Sequence, residues 1–343
     1  MKQHLNTLFV TTQGAYLKKD GEAVAVLIER KTRLRCPFIN LGGLVCFGRV
    51  AVSPPLLGAL AANGISVAFL SQYGRLLAVT RGFTPGNVIL RRQQYRWADD
   101  AERSAEVARS CVLGKLANCR LNLRRAAREH HDADAAAALN AAANRLQGAL
   151  ESLLPALPLD TVRGIEGAAG ADYFAVFSHL IQSTDSRFAF TGRSRRPPRD
   201  PVNALLSFTY ALLLNDVRSA CEAAGLDSQV GFLHRDRPGR PGLALDLMEE
   251  LRPIIADRVV LNLINRRQVR AKDFQWQPSG AVLLSENARR TVLQVFQERK
   301  SEVVTHPFLG EKMTLGLVPH IQARLLARFI RGDIDAYPPC VLR

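Results

Sequence analysis

Short apolar runs alternate with turn residues along roughly the first 80 residues of the chain. The run Ala23–Ile28 has the length and composition of a buried strand, and Asp20-Gly21 stands between two such runs, which predicts a β-hairpin. Many short strands separated by glycine turns are typical of packed sheets. We therefore predict a small N-terminal β-sandwich-like domain over residues 1–83.

The pattern changes after these strands. Turn residues at Thr84–Asn87 predict a linker over residues 84–95. From Gln93 onward the chain is rich in alanine, leucine and arginine at helical spacing. The predicted fold class is therefore α+β, in which the β domain precedes a larger all-α C-terminal domain over residues 96–343. The last residues, DAYPPCVLR, are predicted to be a frayed tail.

The charge of the chain is unusual, although its apolar content of 47% is ordinary for a globular protein. The formal net charge is +15 at pH 7 and the pI is near 10.1. Arginine dominates the basic residues, and its planar guanidinium binds phosphate through two hydrogen bonds. Nucleic acid is therefore the first candidate partner and an anionic membrane surface the second. No basic amphipathic helix with a lipid-facing aromatic set stands out, so we expect no membrane partner.

The six cysteines form no CxxC pair and no dense framework, which predicts reduced thiols. The N-terminus lacks the apolar core of a signal peptide, and no apolar run reaches membrane-spanning length. These features together predict a cytoplasmic protein.

The residues Gly231–Pro253 (GFLHRDRPGRPGLALDLMEELRP) contain the first candidate chemistry. His234 precedes a loop rich in arginine, glycine and proline, and a helical pattern follows. On that helix Asp246 lies about 60° from the apolar stripe, Glu249 lies further round the same flank, and Glu250 is about 20° from the stripe. Carboxylates at the edge of a core are costly unless a cation joins them. An imidazole with carboxylates and no cysteine suits Mg²⁺ or Mn²⁺. Neutralisation by neighbouring arginines, or a solvated helix face, are the alternatives.

The second candidate is Glu166, which lies between Gly164 and Gly167. Small residues around a glutamate leave room for close approach by a backbone or a ligand. Tyr173, seven residues later, lies about 20° from Glu166 on a helix, so its hydroxyl can point to the same place. An ordinary exposed glutamate on a helix is the alternative.

A loop with three prolines carries the third candidate, a group of arginines. They are Arg187, Arg193, Arg195, Arg196 and Arg199. The loop is either a solvated charged segment or a lip that contacts phosphates, and the net charge favours the lip. Asn203 follows at the start of the next helix, where a capping role competes with a role in the site.

These three stretches together resemble one family. RGIEG with the following YF, then FTGRSRRPPRDPVNALLS, then FLHRDRPGRPGLALDLMEELRP are similar to the CRISPR-associated protein one family, the integrase of spacer acquisition. The resemblance covers essentially the whole chain. The proline-rich RRPPRDP variant and the overall length resemble the type I-C branch.

The resemblance implies a β domain followed by a helical domain, a homodimer, and a hetero-hexamer in which two dimers hold a dimer of a small ferredoxin-like protein. In some systems an exonuclease-like adaptation protein joins. The implied metal ligands are Glu166, His234 and Glu249, with Asp246 assisting and Glu250 as an alternative. The implied ion is Mg²⁺ or Mn²⁺.

The resemblance implies that a 3′-hydroxyl of a captured DNA fragment attacks a phosphodiester of a CRISPR array. The partners would be double-stranded and branched DNA. The first candidates for the grip on the backbone are Arg193, Arg195 and Arg196, with Arg235, Arg237 and Arg240 second, and Asn203 and Tyr173 assist. The alternatives are a stand-alone metal-dependent nuclease on branched DNA and a non-catalytic basic architectural protein.

Overall fold

The computed structural model describes residues 6–74, 76–80, 82 and 87–342. The chain divides into two compact units, Met1–Pro85 and Gly86–Arg343. The described part of the first unit is dominated by strands and that of the second by helices, so the predicted α+β fold class is confirmed. All six cysteines are free thiols, as their spacing predicts.

The strands of the first unit form two four-stranded sheets. They are β1 (Asn6–Val10), β2 (Tyr16–Asp20), β3 (Ala23–Ile28), β4 (Lys31–Pro37), β5 (Leu41–Phe47), β6 (Ala51–Val52), β7 (Ser66–Leu70) and β8 (Leu76–Thr80), with helix α1 (Pro54–Ala62) after β6. One sheet has the order β1-β5-β7-β8 and the other the order β4-β3-β2-β6. The predicted hairpin joins β2 to β3, where Asp20 pairs with Ala23 and Gly21 takes a φ of 58°.

Apolar side chains from both sheets and from α1 form one core in this unit. Leu17 and Val24 of one sheet are 0% exposed, Leu44 and Val67 of the other are 1% exposed, and Leu56 of α1 is 0% exposed. Each sheet therefore buries one face against the other, which is the sandwich arrangement that the alternation of apolar runs predicts.

Helices make up most of the second unit. They are α2 (Val88–Asp99), α3 (Ala101–Glu129), α4 (Ala133–Ser152), α5 (Leu159–Ala175), α6 (Pro201–Ala223), α7 (Gly242–Leu251), α8 (Arg258–Asn265), α9 (Glu286–Ser301) and α10 (Val318–Arg331). The predicted linker over residues 84–95 is wrong in its second part, because α2 already begins at Val88. Although the sequence of α2 is polar, one face of the helix is buried. Leu90 is 3% exposed, and the side chain of Gln94 donates to the carbonyls of Asp227 and Val230.

The second unit is not all-α, because it also contains two short hairpins. Their strands are β9 (Phe274–Trp276), β10 (Val282–Leu284), β11 (Val303–Thr305) and β12 (Lys312–Thr314). Between α7 and α8 the residues Arg252–Asp257 form a π-helical turn, where Pro253 has no amide hydrogen for the regular helical bond. Among the described helices, none combines the length and the apolar character needed to cross a bilayer.

Helix α3 is central to the second unit, since α4, α5 and α7 all pack against it. Its N-terminus is capped by Asp100, whose side chain accepts from the amides of Glu102 and Arg103 at 2.9 and 3.0 Å. The approach of α7 depends on Gly114, because a Cβ at that position would lie 2.8 Å from the Cβ of Glu250. Helix α7, which carries the candidate acids, is thereby held directly against α3.

The prediction of a frayed C-terminal tail is wrong. Tyr337 is 2% exposed and Cys340 is 0% exposed, and both bond to the buried carboxylate of Glu250. The Tyr337 hydroxyl donates to Glu250 Oε1, and the Cys340 amide donates to Oε2 at 2.6 Å. Gln322 Nε2 donates to Glu250 Oε1 at 3.0 Å, and Asn118 Nδ2 donates to the Cys340 carbonyl at 2.8 Å. The tail is thus anchored on the back of α7.

We expect Tyr337→Phe to lower the free energy of unfolding by about 1–3 kcal/mol, because Glu250 loses a buried donor and Gln322 loses an acceptor. Urea denaturation followed by far-UV circular dichroism measures the change. Tyr95→Phe is the matched control, since it removes the bond of an exposed hydroxyl to Asp227 and should cost less than about 0.5 kcal/mol. Equal effects of the two variants would contradict the anchoring of the tail.

Candidate functional site

Three elements bring two carboxylates to one buried nitrogen and an imidazole to the side of one of these carboxylates. Glu166 comes from α5, Glu249 from α7, and His234 from the loop that precedes α7. Lys115 of α3 forms ion pairs with Glu166 and with Glu249 Oε2, the second at 2.8 Å. His234 Nε2 lies 3.8 Å from Glu249 Oε1. The three residues predicted as metal ligands are therefore neighbours, although they are distant along the chain.

Positive charge compensates the burial of Glu249. Arg252 Nη1 lies 2.8 Å from Glu249 Oε1, and the Glu249 side chain is only 2% exposed. Burial alone would raise the pKa of this carboxyl, but Arg252, Lys115 and His234 outweigh that effect and lower the pKa. Burial would likewise lower the pKa of Lys115, but Glu249 and Glu166 raise the pKa above its usual value. Glu249 and Lys115 therefore form an ionised pair at neutral pH.

Asp246, which was predicted to assist as a metal ligand, instead holds the histidine loop. Its Oδ2 accepts from the amides of Phe232 and Leu233 at 2.6 and 3.0 Å. Its Oδ1 accepts from the amide of His234 at 3.0 Å and lies 2.6 Å from His234 Nδ1. A Cβ at Gly231 would lie 2.7 Å from Asp246 Oδ2, so this approach requires glycine. With Nδ1 engaged by Asp246, Nε2 is the ring nitrogen that faces Glu249.

Glu250, the alternative ligand, lies on the other side of α7. Adjacent residues of a helix differ by about 100° in direction, so Glu250 meets the C-terminal tail while Glu249 meets Lys115. Burial raises the pKa of Glu250 to about 7, and hydrogen bonds from Tyr337, Cys340 and Gln322 oppose that rise. Glu250 therefore has a structural role and does not join the cluster.

The donor set fits a hard divalent cation. Glu249 Oε2 is buried and accepts no hydrogen bond of acceptable geometry from the described residues, although it pairs with the Lys115 ammonium. A Cβ at Gly164 or Gly167 would meet nothing within 4 Å, so space is open on the glycine-bearing side of α5. Across the described residues, no three His, Cys, Asp or Glu side chains already form a cluster able to hold a metal ion. Lys115 occupies the position between the two carboxylates.

A cavity of about 470 Å³ adjoins Glu166. Its cationic lining consists of Lys115, Arg193, Arg195 and Arg252, and its acidic lining consists of Glu166 and Asp257. Because the cations outnumber the carboxylates, the cavity favours an anionic ligand. The geometry can accept a phosphate group next to the candidate metal position.

Tyr173 and Tyr210 form one wall of this cavity with Asp257. Their hydroxyls donate to the two oxygens of Asp257 at 3.1 and 2.7 Å. The side chain of Tyr173, predicted to contact DNA, is 2% exposed, so its hydroxyl is committed to Asp257. Burial raises the pKa of Asp257 to about 6, despite the opposing hydrogen bonds from the two tyrosines.

The segment Arg193–Arg199, here named the arginine loop, borders the cavity. Arg193 is half-buried, donates to Asn203 Oδ1 at 2.5 Å and lies over the ring of Tyr210. Asn203 is 0% exposed and neither caps its helix nor faces solvent, because Asp200 is the cap. Asn203 instead fixes the loop, so its predicted contact with DNA is not available. Arg195, Arg196 and Arg199 are exposed.

The arginines after His234 occupy a second exposed segment. Arg235 and Arg237 are exposed, and Arg235 Nη2 lies 3.2 Å from Asp160 Oδ1. Arg163 joins the two sides of this segment, donating to Asp160 at 2.8 Å and to the Leu233 carbonyl at 2.7 Å. These contacts tie the histidine loop to α5 and leave Arg237 facing solvent.

Sequence reasoning missed Lys115, which contacts two of the three candidate ligands. A signal was present, because Cys111, Lys115 and Cys119 recur at helical spacing and the two cysteines are buried. A lysine in the middle of an apolar helical stripe requires a buried acidic partner. Arg252 was missed as well, three residues after Glu249 on the same face of the helix.

Solved structures have a similar fold. A Cas1 protein from Thermotoga maritima matches with a TM-score of 0.80 at 23% identity, covering 95% of this chain and 97% of that chain. A casposase bound to integration product matches with a TM-score of 0.81 at 21% identity, covering 96% and 92%. Part of a Cas6-RT-Cas1–Cas2 complex matches with a TM-score of 0.79 at 22% identity, covering 98% of this chain and 36% of that chain. These likenesses confirm the fold.

Sequence comparison defines the family. The family model described as CRISPR associated protein Cas1 matches residues 8–298. CRISPR-associated endonuclease Cas1 1 of Chlorobaculum tepidum is 52% identical over 100% of both chains, and CRISPR-associated endonuclease Cas1 2 of Rhodospirillum rubrum is 52% identical over 99% of both. A Cas4 exonuclease/Cas1 endonuclease fusion of Geobacter sulfurreducens is 37% identical over 98% of this chain and 60% of the fusion. This chain belongs to the Cas1 family.

We expect Asp257→Asn to change how stability depends on pH. The pKa of Asp257 is raised from 3.8 to about 6 in the folded protein, so between these pH values the folded state binds more protons than the unfolded state. The free energy of unfolding of the parent therefore falls as the pH rises through this range. The variant should therefore gain stability relative to the parent between about pH 4 and pH 6, by about 2–3 kcal/mol in total. Urea unfolding at a series of pH values measures this.

Asp185→Asn is the control, because Arg187 lowers the pKa of the half-buried Asp185 and the pH dependence of that variant should have the opposite sign. A stability difference for Asp257→Asn that stays constant with pH would rule out the titration of Asp257 in this range.

Proposed function

We propose that the chain is a divalent-metal-dependent DNA endonuclease and integrase, which inserts captured DNA fragments as new spacers into a CRISPR array. The observation that carries the proposal is that Glu166 and Glu249 share the buried ammonium of Lys115, while His234 lies beside Glu249. Membership of the Cas1 family and relatives named CRISPR-associated endonucleases support the class of reaction.

Glu166, His234 and Glu249 are the side chains that would hold Mg²⁺ or Mn²⁺. When bound, the ion supplies Lewis-acid activation of the scissile phosphate and lowers the pKa of the attacking hydroxyl. Asp246 fixes the orientation of His234, and Arg252 retains Glu249 in its buried position. Lys115 competes for the same carboxylate oxygens, so it balances their charge whenever they have no other cation.

The reaction is a transesterification, which exchanges one phosphodiester for another. The 3′-oxygen of the incoming strand bonds to phosphorus, the bond from phosphorus to the 3′-oxygen of the array strand breaks, and the proton lost by the first oxygen is balanced by one gained by the second. Positioning and charge stabilisation therefore carry most of the catalysis. Arg193 and Arg195, in the wall of the cavity beside Glu166, are the residues that would hold phosphate oxygens there. The same site acting with water would cleave DNA.

The proposed assembly is a homodimer that joins a small ferredoxin-like partner in a hetero-hexamer, with an exonuclease-like adaptation protein as a further partner. The matching Cas1–Cas2 complex and the Cas4/Cas1 fusion support these partners. The RRPPRDP segment, residues 195–201, supports assignment to the type I-C branch. Double-stranded and branched DNA are the proposed substrates, in keeping with a net charge of +15.

The two alternative functions make different predictions in one assay. A stand-alone nuclease would cut branched DNA without a small partner and would not join a short duplex into a plasmid. A non-catalytic architectural protein would do neither with Mg²⁺ or Mn²⁺. Joining that requires the small partner therefore distinguishes integration from both.

We expect Glu166→Gln and His234→Ala each to lower the rate of strand transfer by at least about a hundredfold, because each removes one group that would hold the metal ion. Their affinity for DNA should stay within about threefold, since the arginines are intact. A plasmid-joining assay and fluorescence anisotropy measure the two quantities. Glu286→Gln is the control, as it alters an exposed carboxylate that pairs with Arg290. Full strand transfer by both variants would refute the proposed metal site.

We expect Lys115→Met to destabilise the metal-free chain by about 3 kcal/mol, because two carboxylates lose a buried cationic partner. Added Mn²⁺ should then raise the thermal midpoint of this variant more than that of the parent, since no ammonium competes for the oxygens. Lys300→Met is the matched control: it breaks a buried pair with Asp216, and its loss of stability should not respond to Mn²⁺. An identical Mn²⁺ response in both variants would contradict the competition.

A further inference from the structure

Trp276 is an exposed aromatic residue on a rigid support. It ends β9 and is 52% exposed. Two residues earlier, the buried ring of Phe274 meets the ring of Phe188 edge-on, with centroids 5.8 Å apart. Val282, directly across the hairpin from Trp276, is 0% exposed. The hairpin is therefore anchored in the core, while about half of the surface of Trp276 faces solvent.

The other tryptophan of the chain has a different environment. Trp97 packs against Phe329 with ring centroids 5.0 Å apart, and the guanidinium of Arg103 lies 4.9 Å from its ring centre. Within the described part of the chain, no aromatic ring or guanidinium stacks on Trp276. Among the described residues, the indole of Trp276 thus has neither an aromatic nor a guanidinium partner of the kind that Trp97 has.

The hairpin is joined to the arginine loop. The amide of Val282 donates to the carbonyl of Pro198 at 2.9 Å, so the loop meets the free edge of β10 at this point. Two strand spacings, about 10 Å in all, separate the backbone of Trp276 from that of Pro198. Arg196 and Arg199 flank Pro198 and are exposed. The other end of the loop lines the cavity beside Glu166. The arginine loop therefore connects the edge of the Trp276 hairpin to the cavity beside Glu166.

Further positive charge lies close to Trp276 in the chain. Arg270 and Lys272 are exposed and precede β9. The nearby carboxylates are engaged: Asp273 accepts from the Arg270 amide at 2.8 Å, and the side chain of Asp200 accepts from Asn203. The segments around the hairpin therefore carry four exposed cations, Arg196, Arg199, Arg270 and Lys272, against the two carboxylates of Asp200 and Asp273.

We propose that Trp276 is a stacking platform for an unpaired base of a DNA strand whose phosphates contact the exposed arginines of the arginine loop. Bases within a duplex stack on one another, whereas an unpaired base offers its face to an aromatic ring. The cationic surroundings match a polyanion, and the residues next to Trp276 in the hairpin, Gln275, Pro278 and Ser279, give little apolar surface to a protein partner. The inference rests on the proposed function, because the strand would continue along the loop to Glu166.

The first test uses the fluorescence of the protein itself. Trp97→Phe leaves Trp276 as the only tryptophan of the chain. Addition of an oligodeoxythymidine of about ten nucleotides should quench this emission, whereas a blunt duplex of the same length should leave it unchanged. Quenching by the duplex alone, or by neither DNA, would overturn the proposal.

The second test separates bases from phosphates. Trp276→Leu should weaken binding of the oligodeoxythymidine about tenfold, Trp276→Phe should weaken it less than about threefold, and neither should change the affinity for an abasic strand of equal length. An equal loss on the abasic strand, or no loss on the base-bearing strand, would overturn the proposal. A Trp276→Leu variant that changes oligomeric state in light scattering would assign Trp276 to a protein interface and would overturn it as well.

These measurements are made in the Glu166→Gln background, which removes the proposed chemistry and keeps the arginine loop. If the parent chain neither joins nor cuts DNA but the base-dependent affinity persists, the proposed function fails and the stacking platform stands. If joining depends on Glu166 but Trp276 gives no base-dependent binding, the stacking platform alone fails.

Discussion

The neutralisation of buried carboxylates is the constraint on which the catalytic unit depends. Glu249 is almost completely removed from water, and an isolated carboxylate in such a place would cost several kcal/mol. Lys115 from α3 and Arg252 from the π-helical turn offset that cost, each at 2.8 Å from one oxygen. Because Lys115 also contacts Glu166, the same ammonium joins α3, α5 and α7. The helices therefore meet where their charges balance, and the candidate metal position lies at that meeting point.

The three acidic residues of α7 have three different structural roles. Asp246 accepts the amides of the histidine loop, Glu249 faces the cations, and Glu250 holds the C-terminal tail. Each is buried, and each has partners from a different part of the chain. Helix α7 is therefore fixed in rotation as well as in position, because a turn in either direction would leave at least one buried carboxylate without partners. Such fixation is what a metal ligand requires of its support.

The sequence predicts which residues belong to the candidate site better than it predicts which of them contact one another. The glycines around Glu166, together with the resemblance to a known family, single out residues that do become neighbours. Helical spacing puts Asp246 and Glu249 on one flank, but which of them faces the cations depends on the backbone amides of the histidine loop, and no periodicity encodes that. Lys115 contacts Glu166 although the two are 51 residues apart in the chain, and the sequence around Lys115 resembles that of an ordinary helix.

The errors at the chain's end and at α2 have the same physical origin. A tail with two prolines has no local reason to be ordered, and its anchor Glu250 is 87 residues before Tyr337. The start of α2 is polar in sequence, and its buried Gln94 bonds to Asp227, which lies 133 residues later.

The π-helical turn Arg252–Asp257 has a consequence for the alignment of related sequences. A wider turn accommodates an added residue, and each residue changes the helical phase by about 100°. A related chain that lacks one residue in this turn would therefore have the residue equivalent to Asp257 rotated away from the two tyrosines. Its cavity would then have a different wall.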